Sequence, residues 1–156
     1  MTRYDPLRIT ADSTLIPSIL KLIQSEFSYM EARISPQSSM HKLTVQEIKN
    51  QCVVGEVWAI GERPDACVFF KEKTDCFYLG KLAVTSDMRG KGYARRLVQL
   101  AETRARAKGF SVLELETRIA LLENHKTFQR LGFKKTSEGA HQGFDRTTYT
   151  VMRKTI

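Results

Sequence analysis

The sequence is poor in paired cysteine, in acidic residues and in long apolar runs. Its three cysteines, Cys52, Cys67 and Cys76, are an odd number without a C-x-x-C pair, which indicates reduced, mostly buried residues rather than a disulfide framework or a zinc site. No stretch approaches the roughly 18–20 apolar residues of a membrane span, and residues 1–5 lack the apolar core of a signal peptide. We therefore expect a cytoplasmic protein without a membrane partner or a metal.

The shortage of acidic residues leaves an excess of positive charge. Lysine and arginine number 25 against 17 aspartate and glutamate, a formal net charge of +8. Much of this charge lies between residues 89 and 108 and between 126 and 135. Such an excess predicts an anionic partner. A phosphorylated cofactor would account for it, and nucleic acid, which we do not expect, is the alternative.

Length and periodicity predict one domain, residues 1–156, with a core that needs neither disulfides nor a structural metal. There is no repeat, low-complexity segment or linker. The apolar pattern predicts, in chain order, a strand at 7–10, one long helix over 15–34 interrupted early by Pro17, a short helix around 43–48 capped by Thr44, strands at 53–60, 66–73 and 76–84, a helix over 95–108, a strand at 110–117, a helix over 120–131, and strands at 133–138 and 145–152. The strand, helix and strand between 76 and 117 imply a parallel pair.

The most informative feature is the run from Arg89 to Ala94, which puts small residues and positive charge where a predicted strand ends and a helix begins. Backbone N–H groups at a helix N-terminus have no intrahelical partners, so they suit a phosphate. Gly90 and Gly92 would let the backbone approach that phosphate closely. A plain basic turn is the alternative. The chain has neither the P-loop pattern nor a dinucleotide-binding glycine fingerprint.

Read as Arg-x-x-Gly-x-Ala, this run resembles the pyrophosphate-binding signature of the GNAT superfamily of N-acetyltransferases. The stretches 82–84 (Leu-Ala-Val) and 131–133 (Leu-Gly-Phe) are similar to other landmarks of that family, so the resemblance covers about residues 77–135. It implies an α/β (α+β) fold, the GNAT acyl-CoA N-acyltransferase fold, with a mixed central sheet of about six to seven strands flanked by about four helices.

The resemblance also implies an activity. Acetyl-CoA would be the co-substrate, and the acetyl group would move directly to a primary amine of a small molecule or protein within a ternary complex. The alternative on the same fold is a non-catalytic module that senses acyl-CoA or binds nucleic acid. A homodimer is compatible with either function.

The resemblance assigns the cofactor site residue by residue. It implies pantetheine contacts from the strand that contains Leu82, Ala83 and Val84, with the backbone N–H of Leu82 polarising the acetyl carbonyl. Asn124, eight residues before Gly132, would direct its amide to the cofactor. The pyrophosphate would be bound by the turn formed by Arg89, Gly90, Lys91, Gly92, Tyr93 and Ala94.

One position departs from the family pattern. Phe128, included among the cofactor-binding residues, stands where many GNAT enzymes carry a tyrosine that reprotonates the departing thiolate. Phenylalanine cannot donate that proton. The candidate hydroxyls are Tyr78, Tyr93 and Tyr149.

The resemblance implies that the connection between the first two helices, residues 31–41, helps to form the acceptor side. There, Arg33 would hold an acceptor carboxylate in a bidentate fork, and His41 would bind the acceptor and take up a proton. A surface or capping role is the alternative for His41. Glu116 and Glu114, on one face of the predicted parallel strand, are candidate bases, with a solvent-facing or salt-bridged role as their alternative.

Overall fold

The computed structural model describes residues 5–28, 30–36 and 39–156, so positions 1–4, 29 and 37–38, which include the chain start and part of the predicted acceptor connection, lie outside the described residues. The described residues form one sheet and four helices. Their bounds are β1 Leu7–Ile9, α1 Ile16–Ser28, α2 Val45–Val54, β2 Glu56–Ile60, β3 Ala66–Glu72, β4 Phe77–Val84, α3 Tyr93–Ala107, β5 Val112–Arg118, α4 Leu122–Arg130, β6 Lys134–Gly139 and β7 Tyr149–Thr155.

The seven strands form a mixed sheet in the order β1-β2-β3-β4-β5-β7-β6. All neighbours are antiparallel except β4 and β5, which are parallel and pair only at Phe77 with Leu113 and at Tyr78 with Glu114. Beyond these two pairs β4 continues to Val84 and β5 to Arg118, but the two strands no longer pair with each other. A gap therefore opens between them in the middle of the sheet. This architecture confirms the predicted fold class.

Two apolar clusters hold helices against opposite faces of the sheet. One packs α3 on the central strands, with Phe77, Leu97 and Leu113 fully buried. The other packs α1 and α2 on the first strands around Ile23 and Ile48. Burying a side chain of this size contributes about 1.5–3 kcal/mol, so both faces of the gap are bounded by stable layers.

The prediction of one long helix over 15–34 is wrong. The helix α1 ends at Ser28, whose hydroxyl donates to the carbonyl of Ser25 at 2.8 Å, a local bond that competes with helix continuation. Tighter three-residue turns follow, with the Arg33 N–H donating to the Met30 carbonyl at 2.8 Å. Met30 and Ile34 are still buried, against Leu121. Pro17 lies in the first helical turn and so does not interrupt the helix, because its missing N–H would have no partner there.

Other boundaries differ by several residues. The helix α2 runs on to Val54, so β2 begins at Glu56 rather than at residue 53, and β7 begins at Tyr149 because 145–148 form a loop. The predicted cap is confirmed: the Glu47 N–H donates to the Thr44 hydroxyl at 3.2 Å. Propensity placed the elements correctly, whereas tertiary packing determined where they end.

Candidate active site

The gap between β4 and β5 opens into a cavity of about 830 Å³. This volume is in the range of small-molecule and cofactor sites. One wall is formed by β4 and the turn that follows it, the other by β5 and α4, and the α1 C-terminus and the β6–β7 connection complete the lining. The lining includes many of the sequence-predicted site residues, namely Leu82, Ala83, Val84, Arg89, Gly90, Gly92, Tyr93, Ala94, Glu116, Asn124 and Phe128.

A bulge in β4 shapes the first wall. Phe69 of β3 pairs with Gly80 and Cys67 pairs with Ala83, so β4 carries one residue more than β3 across this stretch. Lys81 takes up the extra length in a left-handed conformation, with φ of 51°. Such strained backbone is concentrated at functional sites. Among the described strands Leu82 has no register partner, and it lines the cavity.

The turn after β4 presents a helix N-terminus to the cavity. Gly90 and Gly92 are left-handed, with φ of 75° and 84°. Open space surrounds both, so glycine is required here by conformation rather than by crowding. Gly92 is the N-cap of α3 and offers no side chain to its first N–H groups. These donors are therefore available to an anion. Lys91 is exposed and lies outside the described lining.

Glu26 of α1 engages the same turn from the opposite side of the cavity. Its carboxylate accepts a hydrogen bond from the Arg89 guanidinium at 2.5 Å and another from the Ser86 N–H at 3.2 Å. The Glu26 side chain is only 13% exposed. Sequence reasoning missed this contact because 63 residues separate the two partners.

The helix α4 supplies the second wall. Asn124 is half-buried on the cavity, and its backbone N–H is bonded to the Leu121 carbonyl. Phe128, one turn later, lies between cavity and core, and its ring meets Phe133 edge-on with centroids 5.9 Å apart. Both residues thus border the space that a ligand would enter.

Arg33 and His41, the two predicted acceptor residues, have different surroundings. Arg33 forms a bidentate ion pair with Glu123, at 2.5 and 3.1 Å. The hydrogen bond from Arg33 lowers the pKa of Glu123 to about 2. The Arg33 fork is therefore occupied by a carboxylate of this chain. His41 is exposed and, like Arg33, lies outside the described lining of the cavity.

The two candidate carboxylates of β5 have different environments. Glu114 is buried and accepts hydrogen bonds from Lys73 at 2.7 Å and Arg153 at 2.9 Å. Burial raises the pKa of Glu114, but these bonds outweigh it and the net shift is downward. Glu116 lines the cavity, and desolvation raises its pKa against the opposing charge of Lys73. Only the second carboxylate is accessible to a ligand in the cavity.

A family comparison interprets this arrangement. A model of the acetyltransferase (GNAT) family matches residues 16–133, more than half of the chain. The chain belongs to the GNAT family. No curated protein sequence matches it significantly.

Solved structures match this fold along nearly the full length of the chain. The protein smu.2055 from Streptococcus mutans UA159 has a TM-score of 0.79 at 12% identity, covering 97% of this chain and 98% of that one. A GNAT family acetyltransferase from Elizabethkingia anophelis with acetyl-CoA bound has a TM-score of 0.69 at 14% identity, with full coverage of both chains. The ribosomal-protein-S18-alanine N-acetyltransferase from Escherichia coli has a TM-score of 0.68 at 16% identity, covering 97% and 94%. At these identities the likeness establishes the fold.

The candidate hydroxyls in place of the GNAT tyrosine differ in their access to the cavity. Tyr93 is 6% exposed and packs in the α3 core, although it borders the cavity. Tyr78 and Tyr149 also line the cavity. Burial raises the pKa of Tyr78 above its usual value. Its hydroxyl therefore gives up its proton less readily than that of an exposed tyrosine.

Several polar side chains of this GNAT cavity were not predicted, among them that of His141. His141, in the β6–β7 connection, lines the cavity, and its ring meets that of Tyr149 edge-on with centroids 5.3 Å apart. The feature of the sequence that could have indicated His141 is its position in a glycine-containing loop between the last two strands. Nothing local in the sequence indicates that this loop reaches the cavity.

The described residues show neither a membrane-spanning helix nor a metal site. No described helix has the length and apolar character needed to cross a bilayer. No group of His, Cys, Asp and Glu side chains within the described ranges is arranged to hold a metal ion.

Proposed function

We propose that this protein is an acetyl-CoA-dependent N-acetyltransferase that transfers the acetyl group directly to a primary amine. The carrying observation is the continuity of one cavity from the uncapped N-terminus of α3 into the gap between β4 and β5. Such a shape suits a ligand with phosphates at one end and a narrow arm at the other. Membership of the GNAT family and the acetyl-CoA bound to the Elizabethkingia neighbour support the cofactor.

In this proposal the pyrophosphate binds the turn at residues 89–94, where the first N–H groups of α3 and the charge of Arg89 meet it. The pantetheine arm lies along β4 at residues 82–84 and takes the place of the missing ladder partner. Asn124 donates or accepts a hydrogen bond from the opposite wall. We place the N–H of Leu82 at the acetyl carbonyl, because this residue has no register partner in the sheet and a donor there would stabilise the developing oxyanion.

Direct transfer is proposed because the cysteines are unsuited to carry the acetyl group. Cys67 is fully buried, and burial raises its pKa to about 12, while burial and the charge of Glu114 raise that of Cys76 to about 11. A thiol is nucleophilic only as the thiolate. The amine nitrogen therefore attacks the thioester carbon itself, the carbon–sulfur bond breaks, and the acceptor loses one proton.

Glu116 is the carboxylate that we place beside the acceptor amine. Its position on the cavity would attract an ammonium group to the end of the site formed by β5. The apolar side chains of Phe27, Met30 and Ile34 also line the cavity and would accept the body of an amine. Small amines and peptide amines both remain within this proposal.

A binding and turnover experiment tests the proposal. Acetyl-CoA should bind in calorimetry, and free thiol should appear only when an amine is added. The panel comprises 2-phenylethylamine, spermidine, a peptide with a free N-terminal alanine, and an N-terminally blocked peptide with one lysine. Absence of acetyl-CoA binding, or of thiol release with every amine, would reject the enzymatic function.

The matched variants are Gly92→Asp and Gly109→Asp. Both glycines have φ of 84° with open space around them, but Gly109 follows the opposite end of α3. Backbone strain and added charge are therefore comparable. We expect Gly92→Asp to weaken acetyl-CoA binding at least tenfold, because its carboxylate would face the phosphates, and Gly109→Asp to leave it unchanged. Equal affinities of the two variants would place the phosphates elsewhere.

Phe128 favours a second candidate function, an acyl-CoA-sensing module without turnover, because the usual proton donor is missing. The net charge of +8 extends this alternative to nucleic acid. Titration with acetyl-CoA and with duplex DNA at two salt concentrations separates the cases: DNA binding that falls steeply with salt would indicate phosphate contacts.

A further inference from the structure

The β6–β7 connection is anchored at both ends and holds one histidine on the cavity wall. The Thr148 N–H donates to the Gly139 carbonyl at 2.9 Å, and the Thr148 carbonyl accepts from the Ile119 N–H at 3.0 Å. Within the loop, the Phe144 N–H donates to the His141 carbonyl at 3.0 Å. The backbone that carries His141 is thus tied to both β6 and the end of β5.

The imidazole of His141 is oriented by a buried hydroxyl. Its Nδ1 lies 2.5 Å from Thr148 Oγ1, and its own backbone N–H donates to the same oxygen at 2.8 Å. Thr148 is 2% exposed, so this anchor is protected from water. When the neutral ring carries its proton on Nδ1 and donates it to Thr148 Oγ1, Nε2 has the lone pair that can accept a proton from a ligand.

Tyr149 supports the ring from the side. A side-chain carbon at Gly139 would lie 2.3 Å from the Tyr149 hydroxyl, so Tyr149 is packed across a position that must be glycine. Its ring meets the imidazole at 81°. Both contacts restrict the histidine to one orientation on the cavity wall.

Several groups set the charge around His141. Desolvation and then the positive charge of Arg118 lower the pKa of His141, which favours the neutral imidazole. The titratable groups contributed by the surrounding elements are Tyr78 of β4, Glu116 and Arg118 of β5, Glu123 and His125 of α4, and Tyr149 of β7.

We propose that His141 is the general base of the acetyl transfer and that its Nε2 takes the proton of the acceptor amine. This inference rests on the proposed N-acetyltransferase function. As the carbon–nitrogen bond forms and the carbon–sulfur bond breaks, the amine proton moves to Nε2, and the electron pair leaves with the CoA sulfur. The imidazolium then releases the proton to the thiolate or to water, which restores the neutral ring.

Glu116 and His141 have separate tasks in this scheme. The carboxylate of Glu116 attracts the acceptor as an ammonium ion, whereas the imidazole removes the proton during attack. Replacing Glu116 by glutamine should therefore raise the KM of the acceptor more than it lowers kcat. Replacing His141 should lower kcat, because a general base typically contributes a factor of about 10²–10⁴.

The test compares His141→Gln with Gln142→Ala, an exposed neighbour in the same loop. The acceptor probe is the member of the four-amine panel that the wild-type protein acetylates fastest. We expect His141→Gln to lower kcat roughly 100-fold or more, to remove the acid limb of the pH profile of kcat, and to leave acetyl-CoA affinity and the unfolding temperature unchanged. Gln142→Ala should match the wild type in all four.

Thr148 provides a second, independent variant pair. Thr148→Val removes the partner of Nδ1 and should lower kcat and move the acid limb, whereas Thr148→Ser keeps the hydroxyl and should restore both.

An unaltered pH profile in His141→Gln would overturn the inference, and loss of the acid limb in Glu116→Gln instead would assign the base to Glu116. If the wild-type protein acetylates no amine, the proposed function fails and this inference fails with it.

Discussion

Arg89 contacts the Glu26 carboxylate and lies in the turn that we propose to bind the phosphates of acetyl-CoA. The carboxylate and the phosphates would therefore compete for the same guanidinium. The contact also ties α1 to that turn, because Glu26 accepts from the Ser86 N–H as well. A single carboxylate would thus both order the turn that we propose for the phosphates and oppose their charge. The balance between these effects can be measured at one residue.

For Glu26→Gln we expect acetyl-CoA to bind a few-fold more tightly at low salt. The amide oxygen can still accept from Ser86, while the negative charge beside the phosphates is removed. The gain should shrink as salt is added, since screening weakens the repulsion. Calorimetry at two salt concentrations measures it, with Glu62→Gln, a charge change at an exposed residue of the β2–β3 turn, as control. Weaker binding would mean that Glu26 mainly orients Arg89.

Phe128 allows the missing proton donor to be restored. Phe128→Tyr should raise kcat roughly tenfold if the new hydroxyl reaches the sulfur, with acetyl-CoA affinity unchanged. Since the ring already borders the cavity, we expect the variant to stay folded. Turnover from pH 6 to 10 is the measurement. An unchanged kcat would show that thiolate protonation does not limit the reaction.

At the scale of elements, two arginines hold the connection between α1 and α2 against the C-terminal half. Arg33 binds Glu123 of α4, and Arg118 of β5 donates to the Pro36 carbonyl at 2.6 Å. Residues 30–36 also bury Met30 and Ile34 against Leu121. Met30 and Ile34 of this segment line the cavity. We call residues 30–36 the strap, which is held by polar contacts to α4 and β5 and by apolar contacts to Leu121.

We expect Glu123→Gln to loosen that strap. Amide exchange of residues 30–36 should become faster and the KM of the acceptor should rise. Added salt should do the same to the wild type, since Arg33 and Glu123 are 44% and 50% exposed and screening acts on exposed pairs. Glu138→Gln, which removes the exposed Lys135 pair within β6, is the control and should change neither quantity.

The same pair has a defined pH window. Because the folded-state pKa of Glu123 is lowered to about 2, its charge persists throughout the neutral range and is lost only as the pH falls toward that value. Mild acid should therefore leave the strap closed. Faster exchange of residues 30–36 already at pH 5 would contradict this assignment.

For the whole molecule, Glu114 of β5 links β7 to the turn between β3 and β4, beside the parallel pair. Its carboxylate binds Lys73 beyond β3 and Arg153 of β7, and Arg153 also binds Asp75. The parallel pair of β4 and β5 is only two residues long, so the sheet needs other links across this position. The ion cluster around the buried Glu114 carboxylate provides one of them.

Glu114→Gln should lower the free energy of unfolding by roughly 1.5–3 kcal/mol, because it weakens the charge-assisted hydrogen bonds that this buried side chain accepts from Lys73 and Arg153. Glu72→Gln removes an exposed pair with Lys108 and should cost less than about 1 kcal/mol. Since the pKa of Glu114 is lowered on folding, its contribution is present above the pKa of an unfolded glutamate and is lost as the pH falls. Urea unfolding at pH 7 and pH 4 measures both effects. A Glu114→Gln variant as acid-sensitive as the wild type would contradict them.

The sequence by itself determined the features that depend on near neighbours in the chain. The glycine turn before α3, the Thr44 cap and the order of helices and strands follow from residue types within about ten positions, which is why the family and the fold were predictable. The helix end at Ser28 was not, because the apolar spacing also fits a continued helix. The local hydrogen bond of Ser28 and the burial of Met30 and Ile34 against Leu121 favour the turns.

Only the tertiary structure decided which side chains meet. Glu26 reaches Arg89 across 63 residues and Arg33 reaches Glu123 across 90, and no local pattern encodes such partners. The same holds for Glu114 and Glu116, two equivalent carboxylates in the sequence until the sheet buries one and leaves the other on the cavity. His141 became a candidate base only when the loop was tied to β5. A side chain's ionisation and partners depend on desolvation and on charges brought from distant elements, and folding alone assembles them.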